Sequence, residues 1–88
     1  MLFRSELRME KLPSQLAWRD FERVLRKLGY RLHKAGTGAA RTYLNLGREP
    51  NLITFHEPHS PNTLAKGTLR EYIRRLQVSR DEFMELLR

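Results

Sequence analysis

Two histidines bracket a glutamate and a proline in the run Leu52-Ile53-Thr54-Phe55-His56-Glu57-Pro58-His59. Histidine is the one side chain whose ordinary pKa lies between pH 5 and 8, so most of this chain's proton chemistry near neutrality sits here. Two such groups suit metal-independent RNA cleavage. One takes the proton of a 2′-hydroxyl, the freed oxygen attacks the adjacent phosphorus, and the other protonates the departing 5′-oxygen. A positioned acid or base is worth roughly 10²–10⁴-fold in rate. Arginines nearby would steady the charge that develops on the phosphoryl oxygens. His59 and His56 are therefore the candidate catalytic residues. The bland alternative for either one is a hydrogen-bonded loop residue or a phosphate contact. A metal centre is not expected, because His-x-x-His at a strand end matches no standard zinc spacing and the chain has no cysteine. No cofactor is implied.

A second group of residues could hold a polyanion. The chain carries a net charge of +7, with 17 Lys and Arg against 10 Asp and Glu. That balance favours nucleic acid, an anionic membrane or an acidic protein as partner. Lys34, Arg41, Lys66, Arg70 and Arg74 stand near the loops or on a basic helix face, and are the candidate RNA-binding residues. Contacts of this kind give affinity without reading sequence. The glycine-punctuated stretch Ala35-Gly36-Thr37-Gly38-Ala39 lacks the Gly-Lys-Ser/Thr ending of a Walker loop and is not a dinucleotide fingerprint. It reads as a hairpin loop.

The elements that must position these groups follow from periodicity. Ser14 to Leu28 reads as a helix, with Phe21, Val24, Leu25 and Leu28 at the i, i+3, i+4, i+7 spacing of one buried face. Ser14 is the expected N-cap and Gly29 the residue that ends the helix. Arg19, Arg23, Arg26 and Lys27 form its solvated side. Tyr30 to Lys34 alternates apolar and basic residues, so Tyr30 and Leu32 are expected to face the core and His33 to share the outer face with Arg31. Ala40 to Leu46 and Leu52 to His56 read as the next two strands, completing an antiparallel meander. Ser60 to Gly67 reads as a polar loop. A second helix spans Gly67 to Leu76, with Leu69, Tyr72, Ile73 and Leu76 inward. Ser79-Arg80-Asp81-Glu82 is a capping box that opens a short last helix, whose apolar side is Phe83, Leu86 and Leu87. Trp18, Tyr30 and Tyr43 are expected in the core rather than as base-stacking platforms. Residues 1–13 are expected to form an N-terminal tail, and 14–88 a single domain.

The order helix, three strands, helix, short helix gives an α+β fold of double-stranded-RNA-binding type. Eighty-eight residues suffice for one marginal core. No apolar run approaches the roughly 18–20 residues of a membrane span. No signal peptide is read at the N-terminus, and the absence of cysteine suits a reducing compartment, so a cytoplasmic location is expected.

Taken together, Trp18 to Leu87 resembles the HicA toxin family of bacterial and archaeal toxin–antitoxin modules. The resemblance is carried by Lys27-Leu28-Gly29-Tyr30, by the glycine turn leading to Tyr43, and by Ile53-Thr54-Phe55 with Pro58-His59. Lys66-Gly67-Thr68-Leu69-Arg70 and Ser79-Arg80-Asp81-Glu82-Phe83 complete it. It implies a double-stranded-RNA-binding-like fold, mRNA cleavage, and a HicB antitoxin that covers the active face. One departure stands out. Many members carry Gly-Ser-His on the second strand, and that histidine is catalytic. Here the matching residues are Gly38-Ala39-Ala40. A methyl group neither accepts nor donates a proton. The sequence leaves three readings open: a divergent branch that uses other residues, a domain that binds RNA without cutting it, or alanines placed there to silence it.

Overall fold

In the computed structural model, which describes residues 11–88, two sheets and three helices share one core. A short strand β1 (Gln15–Ala17) leads into helix α1 (Trp18–Leu28). Strands β2 (Arg31–Ala35), β3 (Ala40–Leu44) and β4 (Leu52–His56) follow. Strand β5 (Thr63–Ala65) leads into α2 (Lys66–Leu76), and α3 (Arg80–Leu87) closes the chain. Strands β2, β3 and β4 form the antiparallel meander in that order, and β1 pairs antiparallel with β5 in a separate two-stranded ribbon. The α+β arrangement of helix, three strands, helix and short C-terminal helix is the one expected.

The helices cover one side of the meander. Phe21 of α1 sits at the centre of an aromatic cluster. Its ring lies 5.4 Å from that of Trp18, 5.1 Å edge-on from Phe55 of β4, 5.6 Å from Tyr72 of α2 and 6.2 Å from Phe83 of α3. Edge-on and tilted pairs at these separations exploit the ring quadrupole beyond simple burial. Val24, Leu25, Leu69, Ile73 and Leu76 fill in around them, and Leu28 packs at the margin. Trp18, Tyr30 and Tyr43 are buried.

Four local readings need correction. Helix α1 begins at Trp18, not at Ser14, and its N-cap is Ala17, which offers no side-chain cap. The cause lies outside the helix: Gln15, Leu16 and Ala17 are drawn out into strand by Ala65, Leu64 and Thr63. The same pairing converts part of the expected polar loop Ser60–Gly67 into β5, and buries Leu16 and Leu64. The third correction concerns β2. Leu32 is 53% exposed rather than facing the core, because β2 is an edge strand and its register with β3 breaks in a bulge between Leu32 and Lys34. Lastly, β3 ends at Leu44, so Leu46 stands exposed in the following turn. Of the expected tail, residues 1–10 lie outside the described residues, and Leu12 is part of the core.

Candidate functional site

The register of the meander sets out the open face of the sheet. Directly opposed residues of an antiparallel pair share a face. Tyr43 lies opposite Ile53 and Arg41 opposite Phe55, on the side the helices cover. Ala40 opposite His56, Thr42 opposite Thr54 and Leu44 opposite Leu52 make three rows on the other side. Lys34 and Arg31 of β2 extend the second and third rows, opposite Thr42 and Leu44. Thr42 and Thr54 join their hydroxyls at 2.7 Å across the middle row.

The row at one end brings together the residues of greatest chemical interest. Ala40 and His56 are cross-strand neighbours. The Glu57 N–H donates to the Ala39 carbonyl at 2.8 Å, while the His56 N–H turns away from β3 and donates to the Tyr72 hydroxyl at 3.2 Å. That hydroxyl in turn donates to the His56 carbonyl at 3.3 Å. The Ala40–His56 pair is therefore of the non-hydrogen-bonded kind, in which side chains stand closest. A side chain at either position faces the same space. Tyr72 pins the backbone of His56 to α2 and leaves the imidazole exposed on the open face. His59 is exposed in the loop that follows, and His33 lies apart on β2.

Arg41 has a different setting from the one its neighbours suggest. It lies on the helix-covered side. Its Nε sits 3.1 Å from Glu57 Oε1, and its Nη1 donates to the carbonyls of Gly38 at 2.8 Å and Ala40 at 3.0 Å. Glu57 Oε2 also accepts from Asn62 Nδ2 at 3.0 Å. The half-buried guanidinium thus ties the hairpin turn at residues 38–40 to the loop that carries the histidines. Lys66, Arg70 and Arg74 fall one helical turn apart on α2 and are all exposed. Arg74 is engaged by Glu71 of the same helix through two hydrogen bonds, which holds the Glu71 carboxyl below its ordinary range and raises Arg74. The structure therefore divides the residues expected to act together. Ala40, His56 and Lys34 share the open face, the α2 stripe lies on the helix layer, and Arg41 is a tie between loops. Among the described residues, no group of three or more His, Asp or Glu side chains is placed to hold a metal ion.

Sequence reasoning missed the basic residues that cap helices. The α3 C-terminus has no cation of its own in its last turn, yet Arg23 donates to the Leu87 carbonyl at 2.9 Å, and Lys27 to those of Leu86 at 2.7 Å and Arg88 at 3.1 Å. Those two residues of the expected solvated side of α1 thereby satisfy orphan carbonyls at the end of another helix. The turn between β3 and β4 does the same for the long helices: Asn45 Nδ2 donates to the Leu28 carbonyl and Arg48 Nη2 to that of Leu76. Nothing in the sequence marks these partners, because they meet only through the tertiary fold. A shallow depression lined by Leu46, Gly47, Arg48, Glu49 and Asn51 lies at this end, the length of β4 away from His56.

A glycine hairpin, a strand pair that aligns residue 40 with His56, and a basic helix opening at Lys66-Gly67-Thr68 recur here in one order. The profile of the HicA toxin of bacterial toxin–antitoxin modules matches residues 18–78, more than half of the chain. The chain belongs to the HicA toxin family. Searches of curated proteins and of solved structures returned no match. The matched HicA region opens at the first residue of α1 and ends at Val78, just before the capping box of α3. Membership makes this chain the toxin half of a two-component module, with an antitoxin as its implied partner. No helix among the described residues is long and apolar enough to cross a membrane.

Proposed function

We propose that this HicA-family toxin acts in the cytoplasm on mRNA as a metal-independent endoribonuclease, held in check by a HicB-like antitoxin. The observation that supports this reading is the row that aligns Ala40 with His56. The family's histidine position is filled by a methyl group, but its cross-strand neighbour carries an imidazole facing the same space. In this reading His56 withdraws the 2′-hydroxyl proton, the 2′-oxygen forms its bond to phosphorus, and the bond to the 5′-oxygen breaks. His59 supplies the proton to that leaving oxygen. The products are a 2′,3′-cyclic phosphate and a 5′-hydroxyl. Lys34 on the same face and the Lys66, Arg70 and Arg74 stripe supply phosphate contacts. Arg41 acts by fixing the backbone carbonyls of Gly38 and Ala40.

A second reading, a toxin that binds RNA without cutting it, is favoured by the alanines at 39 and 40. Incubation of end-labelled mRNA with the purified chain in the presence of a chelator separates the two. Cleavage to cyclic-phosphate ends is expected, reduced roughly 10²–10⁴-fold by His56→Ala and unchanged by His33→Ala. Equal cleavage by His56→Ala would sink the assignment. Intact RNA from the parent, together with growth arrest gained on Ala39→Ser with Ala40→His, would establish the binding-only reading. In either case RNA affinity should fall with salt, with a log–log slope near −0.7 for each phosphate neutralised on a single strand.

A further inference from the structure

Among the described residues, no other element of the chain pairs with the outer edge of the meander. Strand β2 stands at one margin of the sheet, and all five of its residues are exposed. The opposite margin differs. There the Tyr72 hydroxyl satisfies both the N–H and the carbonyl of His56. Just past β2, the Gly36 N–H donates to the Ala40 carbonyl, and Ala35 lies opposite Arg41 in the alternate, non-hydrogen-bonded register. The N–H and carbonyl of Ala35 consequently face outward, as ladder positions without a ladder.

Two further observations say what kind of chain fits this edge. The first is charge. None of the residues of β2, β3 or β4 is Asp or Glu, and β2 itself carries Arg31, His33 and Lys34. The second is apolar exposure. Of the three large hydrophobic residues left exposed among the described residues, Leu32 lies on β2 itself, while Leu46 and Leu52 lie on the β3–β4 hairpin. Exposed leucines gain nothing from a phosphate backbone. Every described Phe, Tyr and Trp ring is buried, so the imidazole of His33 is the one ring this edge offers to a base.

We infer that β2 is a docking edge for an extended, acidic segment of a partner protein, which joins the meander as a fourth strand. Strand period then fixes the partner's pattern. Carboxylates at alternate positions meet Arg31 and Lys34 on the open face, and apolar side chains between them cover Leu32 and Ala35 on the other. A second copy of this chain is a poor occupant, since β2 against β2 sets Arg31 and Lys34 opposite like charges and the bulge at His33 spoils a symmetric ladder. The inference does not depend on RNA cleavage, because it uses main-chain groups of β2 and neither proposed catalytic histidine; of its side chains only Lys34 is shared with the proposed phosphate contacts.

The test is a titration of the full ¹⁵N-labelled chain with a capped nonapeptide alternating glutamate and valine, and with the same peptide carrying lysine for glutamate. Saturable shifts confined to residues 31–35, with slowed exchange of the Ala35 amide, are expected for the glutamate peptide alone. Arg31→Glu and Leu32→Ser should each weaken that binding by about fivefold, the size of a cross-strand pair. Retention of RNA binding by both variants, measured in parallel, keeps this outcome separate from the nuclease question. Equal binding of the lysine peptide, shifts centred on α2, no saturable shift at millimolar peptide, or unaltered affinity in both variants would overturn the inference.

Discussion

The two faces of the meander are built from the same strands, one residue out of step, and they differ in almost every physical respect. On the covered face Tyr43, Ile53 and Phe55 are 2%, 6% and 0% exposed, and rings from three helices close over them. On the open face Leu52 is 54% exposed, His56 is exposed, and the one side-chain hydrogen bond across the rows joins two threonines. Because the strand period is two, a slip of one residue would exchange the faces completely. The aromatic cluster therefore does more than stabilise. By holding Phe55 inward it forces His56 outward, opposite Ala40. Stability and chemistry are neighbours in sequence and separated by the thickness of the sheet.

Replacing adjacent residues is the sharpest way to break this contrast. Phe55 is fully buried, 4.5 Å ring to ring from Tyr72, with the Arg75 guanidinium 5.0 Å over its face. Phe55→Ala should lower unfolding free energy by about 3–5 kcal/mol. His56→Ala, one position on, should change it by less than about 0.5 kcal/mol, as an exposed substitution away from the core does. Urea unfolding of both variants checks this. Comparable losses would mean that the two faces are not energetically distinct.

Much of this contrast was legible in the sequence. The apolar spacing of Phe21, Val24, Leu25 and of Leu69, Tyr72, Ile73, Leu76 located both helix stripes. Leu52 to His56 was legible as a strand, and the period of two puts adjacent Phe55 and His56 on opposite sides. Ser79 does accept from the Glu82 N–H at 3.0 Å, because a capping box is a purely local device. What failed was non-local. Gln15-Leu16-Ala17 has no signature that distinguishes a helix's first turn from a strand, and only Thr63-Leu64-Ala65, far along the chain, settles it. Leu32 alternates correctly but lies on an edge strand, where it stays exposed. For the site, the nearness of residue 40 and His56 followed from meander topology. The Arg41–Glu57–Asn62 tie did not, since charge pattern alone does not choose an acid partner over a phosphate.

An intermediate effect is expected where the covered face meets a polar group. The Tyr43 hydroxyl donates to Glu22 Oε2 at 2.7 Å. Burial, and then the adjoining Glu22 carboxylate, push its pKa above the ordinary value of 10. Burial raises that of Tyr30 as well, against the opposing pull of Arg48. Both groups are thus easier to ionise in the unfolded chain. Their contribution to stability is whole below about pH 10 and is lost as pH rises past it. Tyr43→Phe should cost about 1.5–3 kcal/mol at neutral pH, the worth of a hydrogen bond to a charged acceptor. It should also flatten the decline in melting temperature above pH 10, leaving the smaller slope due to Tyr30. An unchanged slope would show that Tyr43 ionises as freely in the fold as out of it.

The smallest effect belongs to the open face itself. Thr42 and Thr54 are half-buried, their hydroxyl oxygens 2.7 Å apart. Thr54→Val keeps the branched shape and the strand propensity and removes only the hydroxyl. The Thr42 hydroxyl that remains lies on the open face, where water is expected to replace the lost partner, so that no buried group is left unsatisfied. The expected cost is below about 0.5 kcal/mol. A cycle with Thr42→Val should return a coupling of about 0.2–1 kcal/mol, the usual worth of a cross-strand pair. A single-variant loss above about 1.5 kcal/mol would mean that water does not reach this face in the folded chain. The row joining Lys34, Thr42 and Thr54 would then belong to the core, and the space before Ala40 and His56 would be too closed to admit a phosphate.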